Sequence, residues 1–319
     1  MTAFYIIISI ICSAVILFFL FMLVCFLLVF YAPRKKPPAP NEYDLPKGKI
    51  YEPFHEKIIS WTKELRQLPH EKLTITSHDG LTLHAKYYEY KKGAPLEILF
   101  HGYRGTAERD LSGGVHRCFN LGRNALIVDQ RAAGESEGRL ITFGIKERQD
   151  CKRWVEYAVE KFGEDTEIII TGISMGAATV MMALEGELPR QVKCALADCG
   201  YTSPEAIIKK VLREIHLPPA FFYPAIKLGA KIFGGFDLEE SSALEGVKNT
   251  EIPIIFIHGE TDAFVPCDMS LELYRECSSP KKTLYTVPGA GHGLAFPKDE
   301  ESYYLAVREF EAVYKNQKM

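Results

Sequence analysis

The stretch Ile168-Ile169-Ile170-Thr171-Gly172-Ile173-Ser174-Met175-Gly176-Ala177-Ala178 sets a serine between two glycines, after a β-branched run and before small residues suited to a packed helix. A chain that turns from strand to helix in so little space holds the central residue in a strained conformation, which neighbours at −2 and +2 permit only if they lack bulk. Ser174 is thereby lifted onto a tip with its hydroxyl exposed, the setting of a nucleophile. A serine hydroxyl is a poor nucleophile at neutral pH. It needs an imidazole to accept its proton and a carboxylate to orient that imidazole. His292, in the run Gly289-Ala290-Gly291-His292-Gly293, is the candidate base. Asp262 is the candidate carboxylate, with Glu260 and Asp198 as rivals. The Met175 N–H, at the start of the following helix, is placed to stabilise an oxyanion. This chemistry asks for no metal and no organic cofactor.

Elements that could position these residues alternate along the chain. Leu73–Thr76 and Leu81–Tyr90 flank His78-Asp79-Gly80 and read as a hairpin with a D-G turn. Further strands are expected at 96–100, 125–128, 167–171, 192–197, 252–257 and 283–287, and helices at 105–121, 145–162, 175–185, 268–277 and 300–314. The pattern predicts an α/β fold with a mostly parallel sheet, helices on both faces, and a site at the strands' carboxyl ends. Between 200 and 250 the alternation lapses. Ile207, Ile208, Val211, Leu212 and Ile215 make one apolar face there, followed by Leu217-Pro218-Pro219-Ala220-Phe221-Phe222-Tyr223.

The chain's 319 residues carry 38 basic and 41 acidic side chains, a net charge of −3, which offers nucleic acid no basic field. Eight cysteines show no metal-like spacing and read as reduced thiols. From Thr2 to Pro33 no side chain is charged, and Phe4–Tyr31 is almost wholly apolar. At ~1.5 Å per residue this helix exceeds the ~30 Å a bilayer core requires, so a tilted, single-pass transmembrane anchor over residues 1–33 is expected rather than a cleaved signal. Arg34, Lys35 and Lys36 follow it directly and, by the positive-inside rule, put the rest of the chain in the cytoplasm. A Pro-rich linker is expected over 34–53, then an amphipathic helix over 54–68 opening the domain at 54–319.

Five segments in order carry a family resemblance: His101-Gly102-Tyr103, Asp129 to Ser136, the Ser174 turn, Gly259-Glu260-Thr261-Asp262, and the glycine-rich run around His292. The soluble part resembles an α/β-hydrolase, and particularly bacterial serine hydrolases with an N-terminal membrane anchor. The order Ser174, Asp262, His292 is the order that fold uses for its catalytic triad. The resemblance implies a second oxyanion donor in the Tyr103 N–H and a lid inserted over 200–250. His101, Asp129 and Arg131 read as structural. The expected activity is cleavage of carboxylic esters of small acyl or lipid-like substrates, brought close by the membrane anchor. A serine peptidase or amidase is the rival on the same fold, and a catalytically silent binding protein the rival from another class.

Overall fold

The computed structural model describes residues 1–33 and 38–315. Arg34, Lys35 and Lys36, the basic flank on which the expected orientation rests, lie outside the described residues. An apolar helix α1 (Thr2–Phe30) is followed by α2 (His55–Gln67), β1 (Glu71–Thr76), β2 (Thr82–Tyr88), β3 (Leu96–Phe100), α3 (Ala107–Asn120), β4 (Asn124–Asp129) and α4 (Glu147–Phe162). Then come β5 (Ile168–Ile173), α5 (Met175–Ala183), β6 (Val192–Asp198), α6 (Pro204–Glu214), α7 (Pro219–Gly229), α8 (Ala243–Lys248), β7 (Ile254–Gly259), α9 (Cys267–Glu276), β8 (Lys282–Val287), α10 (Ala295–Lys298) and α11 (Glu300–Lys315). The sheet order is β1-β2-β4-β3-β5-β6-β7-β8. Only β2 runs against its neighbours, and β3 to β8 are parallel.

Strands β3 to β7 are buried on both faces, so they read as nearly continuous apolar runs whose alternate residues serve different cores. Ile98, Phe100, Ile168, Ile170, Ala195 and Phe256 face the layer that holds Trp154 of α4 and the whole of α5. Ile169, Leu196, Ile255 and Ile257 face Trp61 of α2 and Tyr303, Val307 and Phe310 of α11. Leu99 and Ile127 meet Leu111 and Val115 of α3 on that second side. The β1–β2 hairpin closes through Asp79-Gly80, pairing Thr76 with Thr82.

Glu97, on β3, is fully buried in the second layer, bonded to Arg117 and Arg123 and accepting from the Thr171 hydroxyl at 2.8 Å. Burial alone would raise its pKa. The two guanidinium charges outweigh burial and hold the carboxyl at about 2. Glu97→Ala would strand two buried cations and is expected to destabilise the fold by about 3–5 kcal/mol, read by denaturant unfolding in detergent. Because the folded pKa is depressed, that difference is full above the unfolded value and shrinks as pH falls toward 2.

Candidate active site

The β5–α5 turn is built as the glycine spacing requires. Ser174 adopts φ 57°, ψ −118°. A Cβ on Gly172 would lie 2.1 Å from the Gly176 carbonyl carbon, and one on Gly176 2.1 Å from the Phe100 carbonyl oxygen. Neither position admits another residue without moving backbone. The Ser174 N–H donates to the Asp198 carbonyl at 2.8 Å, which ties the turn to the end of β6.

Ser174, His292 and Asp262 come together at the carboxyl ends of the strands. The Ser174 Oγ lies 2.9 Å from His292 Nε2, and His292 Nδ1–H donates to Asp262 Oδ2 at 2.6 Å. The other carboxylate oxygen accepts the Phe264 and Val265 N–H groups, each at 2.8 Å. Burial opposes ionisation of Asp262, but the hydrogen bonds from His258 and His292 hold its carboxyl well below the usual range. His258, which sequence reasoning missed, lies 3.3 Å from Asp262 Oδ2 through Nε2, while the Ser270 hydroxyl donates to its Nδ1 at 2.7 Å. Its signal was weak, since it is one buried histidine at the end of a strand. Of the rival carboxylates, Glu260 accepts from Thr286 at the surface. Asp198 is buried, with Tyr303 donating weakly to one oxygen at 3.4 Å.

On the oxyanion side, Met175 opens α5, so its N–H is among those a helix leaves without an internal acceptor. The Gly102-Tyr103 loop is pinned from two directions. Asp110 accepts the Gly102 N–H at 3.1 Å and is itself held by Arg109. The Tyr103 hydroxyl donates to Val29 O at 2.6 Å, and Arg104 donates to Leu28 O at 2.9 Å and Tyr31 O at 3.1 Å. The end of α1 therefore touches the loop that carries the expected second donor. Asp110 and Arg104 had no recognisable sequence signal, because their partners are distant in the chain. His101 has both ring nitrogens engaged, Nδ1 with Gly102 O at 2.8 Å and Nε2 with the Gln130 N–H at 3.1 Å. Asp129 caps Ala107 and Glu135 N–H groups, and Arg131 pairs with Asp79 and Asp150.

Beside Ser174 and His292 lies a cavity of about 330 Å³. Its walls include Ile58, Trp61, Leu99, Leu111, Leu294 and Phe296, with Lys47 and Tyr51 at one side. Among the described residues, none between 200 and 250 lines it. The stretch expected as the lid packs elsewhere, with α7 on α1 and α8 on α5. The described part of the expected linker, residues 38–53, by contrast, meets the domain: Arg66 donates to Pro40 O at 2.6 Å and Glu42 O at 3.0 Å. The cavity is polar at one point, where Arg117 Nε and Asp198 Oδ1 have no hydrogen-bond partner among the described residues. Cys199, Asp262 and His292 place ligand-type atoms within 4.8 Å of one another. Burial pushes the Cys199 thiol up, away from the thiolate a metal needs, and the other two already share a proton, so the cluster suits proton transfer.

The sequence profile described as the prolyl oligopeptidase family matches residues 142–316. YqkD of Bacillus subtilis is 29% identical over 214 residues, covering 67% of this chain and 70% of its own. A Saccharomyces cerevisiae membrane protein, YNL320W, is 22% identical over 249 residues, covering 78% and 82%. The Pyrococcus furiosus esterase Pf2001 superposes with a TM-score of 0.65 at 22% identity, covering 86% of this chain and 97% of that one.

Two outcomes separate the carboxylates. Asp262→Asn is expected to lower kcat by about 10³–10⁴, whereas Asp198→Asn keeps most of the turnover. Burial raises the Asp198 carboxyl to about 6, so its ionisation subtracts stability as pH rises from the unfolded value through that point. Asp198→Asn is therefore expected to stabilise the fold at pH 8 by about 3 kcal/mol, read as a higher melting temperature, and to change little near pH 4.

Proposed function

Because this chain belongs to the prolyl oligopeptidase family and has the α/β-hydrolase fold, we propose that it is a membrane-anchored serine hydrolase that cleaves carboxylic esters through an acyl-Ser174 intermediate. The observation that carries this reading is the line of hydrogen bonds from Ser174 through His292 to Asp262, 2.9 and 2.6 Å long, at the edge of an apolar-walled cavity. His292 Nε2 takes the hydroxyl proton as Ser174 Oγ attacks the carbonyl carbon, and the Asp262 carboxylate stabilises the imidazolium. The oxyanion is met by the Met175 and Tyr103 N–H groups. His292 then gives the proton to the departing alcohol, activates a water against the acyl-enzyme, and returns the proton to Ser174 as the acid leaves.

The cavity walls favour an acyl or aryl group over a charged peptide, and the Pyrococcus neighbour is named an esterase. An anchor at α1, supported by the yeast relative's description as a membrane protein, would hold the site near lipid-derived esters. By the positive-inside rule Arg34, Lys35 and Lys36 put the domain in the cytoplasm. One observation favours a second reading, peptidase or amidase action: the family itself is described by an oligopeptidase.

A fluorophosphonate probe is expected to label the wild-type protein and to lose its target in Ser174→Ala. An unlabelled wild type would leave a binding protein. In turnover, p-nitrophenyl esters are expected to be cleaved and aminoacyl-amides left intact, and the opposite preference would install the peptidase reading.

A further inference from the structure

In α1, residues 2–20 are exposed throughout, and burial begins at Phe21. At ~1.5 Å per residue the exposed stretch is about 28 Å long, close to the ~30 Å of a bilayer's hydrocarbon core. The last third runs down the domain beside α7. Phe21 meets Phe221 and Phe222 with ring centroids 5.5 and 5.6 Å apart, Phe26 meets Phe233 at 5.7 Å, and Phe30 meets Phe236 at 5.3 Å. Gly229 lets the two approach, since a Cβ there would lie 3.1 Å from the Phe26 Cβ. The pairs advance together along both chains, so the N-terminal end of α7 stands where α1 leaves the domain.

The corner between α6 and α7 stands at that level and, apart from the exposed His216, is apolar. Ile215 is 57% exposed and Phe221 63%, with exposed Pro218 and Ala220 between them. A large apolar side chain exposed at each end of one proline-stiffened corner, with Pro218 and Ala220 between, makes a patch of the kind that marks an interaction surface. Exposed Arg213, two residues before Ile215, suits the phosphate level of a headgroup layer.

We propose that the corner from Ile215 to Phe221 is embedded in the membrane leaflet that α1 enters, as a second lipid contact beside the anchor. This rests on the reading of α1 as a membrane span. A single helix leaves the domain free to roll about its axis, whereas two contacts fix which side faces the lipid. The fixed side is connected to the chemistry: Lys210 of α6 donates to Ala263 O at 2.5 Å, in the loop whose neighbouring N–H groups hold Asp262. The lipid surface is favoured over a second copy of the chain because the corner continues the lipid-exposed surface of α1.

The test uses the full chain in phosphatidylcholine vesicles and three single substitutions, Phe221→Trp, Ile215→Trp and, as the span control, Val15→Trp. The native Trp61 and Trp154 are buried in the domain and supply a constant background. Emission from Phe221→Trp and Ile215→Trp is expected to be lost to lipids brominated on their acyl chains, as it is for Val15→Trp, and to resist aqueous iodide. With Val15→Trp quenched by bromine, loss of the other two to iodide would overturn the proposal in favour of a solvent-facing corner. Protection from both quenchers would overturn it in favour of a protein partner or second copy. If Val15→Trp itself escapes bromine, the anchor reading fails and this proposal falls with it.

Discussion

Ser174 keeps its left-handed backbone because three strands converge on it. Its N–H is held by Asp198 O at the end of β6, Gly176 sits against the Phe100 carbonyl at the end of β3, and Gly172 closes on Gly176 across the turn. That junction sets the height of the hydroxyl, and the other parts of the site reach it by loops. The loops after β7 and β8 interlock: the Thr261 N–H donates to Ala290 O at 3.0 Å, and a Cβ on Gly259 would lie 2.3 Å from the same oxygen. One backbone contact therefore places Asp262 and His292 in register with each other. A strained residue is maintained here by surroundings that leave it no relaxed alternative.

Most of the sheet was legible because strand and helix patterns are local. The eight expected strands lie at β1 to β8 with ends shifted by one or two residues, and the five helices expected within the α/β alternation lie at α3, α4, α5, α9 and α11. That Ser174, Asp262 and His292 meet was expected for another reason, since a serine, a carboxylate and a histidine just beyond the ends of β5, β7 and β8 form a pattern that needs no contact map. What stayed hidden depends on contacts between distant segments. The apolar stripe over 207–233 was visible, but a stripe does not name its partner, and it meets α1 instead of roofing the cavity. Pro40, Glu42 and Tyr51 read as linker because prolines and charges mask the contacts that Arg66 and the cavity make with them.

The tie between α1 and the Gly102-Tyr103 loop follows from an elementary property of helices. The last four carbonyls of a helix have no internal donor, and in an apolar setting each needs one. Tyr103 and Arg104 supply donors to Leu28, Val29 and Tyr31. Capping α1 thus also fixes the two residues after Gly102, whose own N–H is fixed by Asp110. The same side chains serve the helix end and the loop that flanks Ser174, so the position of α1 and the shape of that loop are one geometric problem.

That coupling bears on whether α1 is a leader or a permanent part of the protein. A cleaved signal leaves a domain that folds without it. Here Phe26 and Phe30 belong to the main core, only 4% and 0% exposed, and Phe30 packs edge-on against Phe143 and Phe236. Phe143 in turn stacks on Tyr103 at 5.0 Å. Removing α1 would uncover that aromatic row and withdraw the acceptor from the Tyr103 hydroxyl in the loop beside Ser174. Burying a phenylalanine side chain stabilises a fold by roughly 1.5–3 kcal/mol, so the loss of two is a large fraction of the stability of a typical domain. A segment that contributes so much to the core while leaving its first two thirds bare supports the proposed reading of α1 as an anchor that stays attached.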